Sequence, residues 1–360
     1  MASKKRTTIR DVARRAQVAP ITVSRVVNNA EYVSAETRQR VEAAIQELNY
    51  IPNALAQSLR YQKTNMIALL VSDITNPFWT TVTRGVEDAC SLQNVNVIVC
   101  NTDEKQEKLD NYINLLLQRQ IDGLIVVPTE GYNGTMLENL FASHVPIVML
   151  DRTLKVKGKG KIKEKIKGKG KRKGNHTVVR SDSVLGGYLL TKHLLELGHR
   201  RIMMISGSNT LSTGLERAEG YRNALDEFGI ASDPELIRFG KFTQQSGYEI
   251  TVDMIQHIHP RPTAILTANN FIAVGAQIAL DEHQIAIPND ISLATFDEIS
   301  AQMNPRPFLT TVVQNAYSMG YEAGQRLISL LKDLDSAAAE DIIMPVSLII
   351  RTSTAPPRSS

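Results

Sequence analysis

Apolar residues recur at helical spacing three times before residue 50. Ile9, Val12, Ala13 and Ala16 define a short amphipathic helix. After a break at Gln17-Val18-Ala19, Pro20 stands in the first turn of a second helix, where its missing N–H has no acceptor to lose. Val23, Val26 and Val27 fall on one face of that helix, and Ile21, Ser24, Arg25 and Asn28 on the other. Ser34 caps a third helix with Glu36 in its first turn and an apolar face of Val41, Ala44, Ile45 and Leu48, and Asn49 and Pro52 close it. Two short helices cannot bury a core alone, so the third completes a trihelical helix-turn-helix unit.

The rhythm changes after Thr64. Short β-branched runs alternate with amphipathic helical stretches: Met66 to Val71, Phe78 to Leu92, Val95 to Cys100, Lys105 to Arg119, Gly123 to Val127, Thr135 to Ala142 and Ile147 to Leu150. A second set is expected to begin at Thr177 to Val179 and to continue through Ile202 to Ile205, Ala264 to Leu266 and Ile291 to Thr295. Strands alternating with helices imply parallel sheets, and two such sets imply two doubly wound lobes. The predicted fold is therefore α/β with an all-α helix-turn-helix head. The head spans residues 1–51, a linker 52–63, and a two-lobed domain 64–360. Its first lobe is expected at about 64–154 and 299–330, its second at about 175–298 and 331–355. Ligands of such sheets bind beyond the carboxyl ends of the strands. That rule selects Asp73, Asp151, Arg152, Ser206, Gly207, Asn269, Asn270 and Asp297, a polar ring suited to a polyol.

Composition narrows the function classes. The chain has 360 residues, 42% of them hydrophobic. Its two cysteines, Cys90 and Cys100, form no CxxC or Cys/His metal spacing. No apolar signal core follows the basic N-terminus and no run reaches membrane-spanning length, so a cytoplasmic protein without a membrane partner is expected. No GxGxxG follows a strand, no phosphate-loop lysine appears, and the histidines show no nucleophile or metal pattern; no enzyme activity, cofactor or metal is expected. His257-Ile258-His259 reads as a helix end.

Charge is distributed unevenly. Residues 1–63 carry +6 (11 Lys/Arg against 5 Asp/Glu) and residues 155–173 carry +10 (11 against 1), leaving −12 on the remainder of a chain whose total is +4. A basic head on an acidic body suits a protein that sets its head against phosphates. The block at 155–174 alternates lysine with glycine and apolar residues, and like-charge repulsion favours a solvated inserted loop there.

The runs Thr8-Ile9-Arg10-Asp11-Val12-Ala13, Thr22-Val23-Ser24-Arg25-Val26-Val27-Asn28, Val33-Ser34-Ala35-Glu36-Thr37-Arg38 and Glu47-Leu48-Asn49-Tyr50-Ile51-Pro52-Asn53 resemble the head of the lactose/galactose repressor family. The resemblance implies that Pro20, Ile21 and Arg25 face base edges in the major groove, while Thr8, Ser24 and Asn28 hold phosphates. Proline at position 20 departs from the polar residue or tyrosine usual there and offers no donor. Residues from Asn53 to Arg60 match the family's hinge, in which Ala56 and Leu59 share one face and the leucine wedges into a minor-groove step.

The body resembles the type I periplasmic-binding-protein-like fold of the same family. That implies effector contacts at Asp73, Asn76, Phe78, Trp79, Arg152, Arg217, Asn270 and Asp297. The two arginines allow a sugar acid as well as a neutral sugar. The implied partners are a palindromic double-stranded DNA operator, a small-molecule effector and a second copy of the chain in a homodimer. The implied role is an effector-responsive repressor of carbohydrate-utilisation genes. Two alternatives stay open: control by a phosphorylated partner protein, and a sugar-binding module without gene regulation.

Overall fold

The computed structural model describes residues 7–28, 30, 32–51, 63–130, 145–153, 177–299, 306–333 and 340–358. It divides into two compact units, residues 1–64 and 65–360. The hinge positions Asn53, Ala56 and Leu59, the helix expected at 135–142 and the lysine-glycine block at 155–174 lie outside the described residues.

In the first unit, helices α1 (Ile9–Arg15), α2 (Pro20–Val27) and α3 (Ala35–Glu47) follow the apolar periodicity. Val12, Ala13, Ala16, Val23, Val26, Val41 and Ala44 form their common core. Small residues let three short helices approach closely enough to exclude water. Gln17, with φ 55°, turns the chain between α1 and α2. Asp11 accepts from the Thr8 backbone N–H at 3.0 Å and from its hydroxyl at 2.6 Å, securing the start of α1. The Ser34 hydroxyl accepts from the Thr37 N–H at 3.3 Å and caps α3.

Among its described residues the second unit contains two six-stranded sheets. Strands β1 (Met66–Val71), β2 (Asn96–Asn101), β3 (Gly123–Val126), β4 (Ile147–Leu150), β5 (Thr177–Ser181) and β11 (Asp341–Met344) form the first, in the order β11-β5-β4-β3-β1-β2 and parallel throughout. The second contains β6 (Ile202–Ser206), β7 (Ile237–Phe239), β8 (Ala264–Thr267), β9 (Ser292–Phe296), β10 (Thr310–Gln314) and β12 (Val346–Ile349), in the order β12-β10-β9-β8-β6-β7. Only its β10–β12 pair is antiparallel. Burial on both faces explains the continuous apolar runs of the central strands.

This topology corrects the expected lobe boundaries. Thr177–Ser181 does not open the second lobe; it pairs with β4 in the first sheet. Likewise Thr310–Gln314 joins the second sheet and Asp341–Met344 the first. A strand's local pattern states that it is buried but not which sheet it extends, because that depends on pairing partners far away in sequence. The chain therefore passes between lobes after β5, after β10 and between β11 and β12.

Helices α4 (Pro77–Ser91), α5 (Gln106–Gln118) and α10 (Ala316–Lys332) accompany the first sheet; α6 (Ser183–Glu196), α7 (Ser212–Glu227), α8 (Gln244–His257) and α9 (Asn270–Glu282) accompany the second. The α4 and α10 backbones nearly touch: a Cβ on Gly320 would lie 2.0 Å from the Val82 carbonyl oxygen. His257 is the last residue of α8, a helix end as expected. Among the described residues no helix is long and apolar enough to cross a membrane.

Candidate functional site

Two surfaces concentrate the chemistry, one in each unit. On the first, α2 begins at Pro20, with Ala19 at the N-cap. Val23 and Val26 are buried, so helical geometry turns Pro20, Ile21 and Arg25 outward. Ile21 is 52% exposed, an apolar side chain placed in water on the helix that reads as the recognition element. The Arg25 guanidinium carbon lies 5.4 Å from the centroid of the Tyr32 ring, which is itself highly exposed. Tyr32 was not singled out from sequence, because it lies beyond the helix and carries no periodic signal. Ser24 and Asn28 are half-buried and engage each other: Asn28 Nδ2 donates to the Ser24 carbonyl at 2.7 Å. Thr8 sits at the exposed N-cap of α1, its hydroxyl donating to Asp11.

On the second surface, loops leaving the carboxyl ends of strands from both sheets enclose a cavity of about 400 Å3. The first sheet supplies Asp73 and the N-terminal turn of α4, Glu104 after β2, Glu130 after β3, and Asp151-Arg152 after β4. The second supplies Ser208 after β6, Phe242 after β7, Asn269 after β8 and Asp297 after β9. Of the residues selected from sequence, Asp73, Asn76, Phe78, Trp79, Asp151, Arg152, Arg217, Asn269 and Asp297 line this cavity together, whereas Ser206 and Gly207 are not in its lining. Nor is Asn270, although its neighbours Asn269 and Phe271 are.

The lobes are tied across the cleft by polar contacts. The Asn76 and Asn270 amides exchange hydrogen bonds of 3.1 and 3.2 Å, and Asn76 also accepts from the Phe78 N–H to cap α4. Asn270 is therefore a link between lobes rather than a wall of the cavity. The Ser208 hydroxyl donates to Glu130, and the Thr153 N–H donates to the Ser212 hydroxyl at 2.9 Å. Ser206 turns away from the cavity and donates to the Gly214 carbonyl at 2.9 Å.

The aromatic floor depends on one glycine. A Cβ at Gly207 would lie 2.2 Å from the Phe242 ring, so only glycine lets that ring settle across the end of β6. The Arg152 and Arg217 guanidinium carbons then lie 5.9 and 5.8 Å from its centroid. Arg217 also stacks 4.2 Å from the Phe296 centroid and donates to the Ala268 carbonyl. Its Nε has no hydrogen-bond partner among the described residues. Trp79 is largely buried in the first-lobe core and meets Phe78 edge-on, with centroids 4.9 Å apart.

Charge in the cavity is largely compensated internally. Arg152, only 4% exposed, forms two parallel bonds to Glu104 of 2.8 and 2.7 Å, and also donates to the Pro128 carbonyl at 2.9 Å. The fork expected to be available to a ligand anion is thus already occupied. Burial works to lower the Arg152 pKa, but the Glu104 carboxylate outweighs it and the net direction is up. Burial pulls Arg217 below the usual guanidinium range. Burial likewise raises Asp151, and raises Asp297 to about 6 despite Arg217 nearby and a 2.8 Å bond from Gln314 Nε2. Asp151 and Asp297 close equivalent strand ends in the two lobes with left-handed φ of 65° and 63°. Among the described residues no cluster of His, Cys, Asp and Glu could hold a metal ion.

Glu104 and Phe242 were missed for different reasons. The strand-end rule reaches Glu104 once β2 is followed to its terminus. Phe242 follows β7, a three-residue strand too short to register in the hydrophobic pattern.

Comparison with known proteins joins the two surfaces. A family model described as bacterial regulatory proteins, lacI family, matches residues 8–53, and one described as a periplasmic binding protein-like domain matches residues 191–354. The HTH-type transcriptional repressor PurR of Histophilus somni (strain 2336) is 33% identical over 350 residues, covering 96% of this chain and 98% of that protein. The ribose operon repressor of Haemophilus influenzae is 33% identical over 326 residues, covering 91% of this chain and 92% of that protein. A crystal structure of the lac repressor dimer bound to operator and the anti-inducer ONPF superposes with a TM-score of 0.79 at 29% identity, covering 98% of this chain and 100% of that one.

Proposed function

Because this chain belongs to the lacI family of bacterial regulatory proteins, we propose that it is a repressor of transcription that binds a palindromic operator as a homodimer and answers to a small sugar-class effector. The observation that carries this reading is the presence, in one chain, of an outward-facing α2 and a two-sheet cleft with convergent polar groups. One head reads one half-site, so two copies are needed for a palindrome. In this reading Arg25 bonds a guanine edge, Ile21 meets a thymine methyl, Thr8, Ser24 and Asn28 hold phosphates, and Asn53, Ala56 and Leu59 belong to a hinge that engages the minor groove. Pro20 shapes the start of α2 rather than bonding a base, since it has no donor. Asp73, Asn76, Phe78, Trp79, Arg217 and Asp297 surround the effector. The relatives named PurR and ribose operon repressor support repression and a cytoplasmic site of action, and they favour regulation over enzyme activity.

The effector acts through the two-lobed body. A ligand shifts operator binding only by its different affinity for the arrangements with and without DNA. A hundredfold change in operator affinity requires about 2.7 kcal/mol of such difference. Gel-shift titration against a palindromic operator library, combined with melting scans over a sugar panel, tests the reading. Operator binding altered by a sugar that also raises the melting temperature is the expected result. Absence of DNA binding at low salt under every ligand overturns it.

A further inference from the structure

We propose that Glu104 is a carboxylate the pocket carries for itself: it fills the fork of Arg152, excludes carboxylate ligands and leaves the cleft selective for neutral polyols. This rests on the reading of the cleft as the effector site and narrows its ligand class.

Three observations converge on Glu104. The first is backbone geometry. Asp103 and Glu104 follow β2 with φ of 52° and 55°, two successive left-handed residues neither of which is glycine. L-residues avoid that conformation, so the surroundings must impose it. Asp103 is held by Lys108 and by Asn101 Nδ2, and the Glu104 N–H donates to the Ser72 carbonyl at 3.3 Å. The result turns Glu104 from the exposed loop into the cavity wall, where its side chain is 30% exposed.

The second is the occupation of the Arg152 fork. Nη1 and Nη2 reach opposite oxygens of the Glu104 carboxylate at 2.8 and 2.7 Å, the parallel geometry a bound carboxylate would adopt. Nη1 is shared with the Pro128 carbonyl, while Nε, 3.5 Å from an Asp151 oxygen, makes no hydrogen bond among the described residues.

The third is the charge around the slot. Glu130 adds negative charge beside Arg152, and Asp297 balances Arg217. Lys105 and Lys241 also line the cavity but are exposed to water, which screens them. A carboxylate entering the Arg152 fork would have to displace Glu104 and lose its hydration beside Glu130. A neutral polyol meets no such barrier, and it finds acceptors at Asp73 and Asp297 and a donor at Arg217.

Removing the Glu104 side chain vacates a carboxylate-shaped slot, and propionate reproduces the lost group. The test uses full-length protein and the emission of Trp79, the single tryptophan of the chain, which lines the same cavity. Propionate is titrated into wild type, Glu104→Ala and Glu104→Gly, with propionamide as the neutral isostere. Glycine favours the left-handed backbone at this position, so E104G keeps the turn even if E104A perturbs it. The expected result is saturable propionate binding by the variants, accompanied by a rise in melting temperature, at least about tenfold tighter than any wild-type response. Propionamide should produce neither change. Equal propionate binding by wild type, no binding by either variant, or equal binding of propionamide would each overturn the proposal. Operator binding is not part of this readout, so a failure of the repressor reading shows separately, in the gel shift.

Discussion

Arg25 combines exposure, a helical position that faces outward, and the Tyr32 ring 5.4 Å from its guanidinium. Stacking on an aromatic face limits the conformations of a long side chain, leaving less entropy to lose when it bonds a base edge. If Arg25 bonds a guanine edge as proposed, replacing it with alanine removes a bidentate contact that carries about 1–3 kcal/mol of base discrimination. R25A is therefore expected to weaken operator binding roughly 5- to 150-fold and to relax preference at one base pair, with an unchanged melting temperature. Anisotropy titrations against single-base operator variants measure this; a uniform loss across all variants would show a phosphate contact instead. In the cleft, Asp297 titrates at about 6, above the usual carboxylate value of about 3.9. The folded state therefore favours its protonated form. The associated stability is fully present below about pH 4 and is lost as pH rises through 6. Asp297→Asn preserves the acceptor for Gln314 and tolerates the left-handed backbone. The stability of D297N minus that of wild type, from denaturant unfolding, should rise by up to about 2–3 kcal/mol between pH 4 and 7. Parallel pH profiles would contradict the burial of a charged Asp297.

At the scale of elements, the contact between the end of β6 and the loop after β7 builds the aromatic floor. An added methyl at Gly207 collides with Phe242, and overpacking of this kind costs about 1–3 kcal/mol. Gly207→Ala should therefore lower stability and abolish the sugar response. The same change in an F242A background should cost much less stability, because the clash partner is gone. Additive losses in unfolding experiments would place the strain elsewhere. This floor also marks the limit of what sequence reveals. The helices of the head and most central strands were legible because one buried face imposes a strict period on Val12, Val23 and Val41 or on the run Met66 to Val71. Sheet membership was not, since β5, β10 and β11 carry the same local signal whichever sheet they extend. The strand-end rule found Asp73, Arg152 and Asp297. It reaches Glu104 only when β2 is followed to its end, and it misses Phe242 because β7 is too short to register. It also could not show that Arg152 already has a carboxylate partner.

At the scale of the molecule, the account requires that occupancy of the cleft and occupancy of the operator influence each other. Binding linkage makes that influence reciprocal: an effector that changes operator affinity by some factor must have its own affinity changed by operator by the same factor. Both halves can be measured on the intact chain. A labelled palindromic operator reports DNA affinity by anisotropy, with and without the neutral sugar that most raises the melting temperature. Trp79 emission reports sugar affinity, with and without saturating operator. The account predicts two equal factors clearly different from one. A sugar that binds the cleft tightly yet leaves operator affinity unchanged would contradict it.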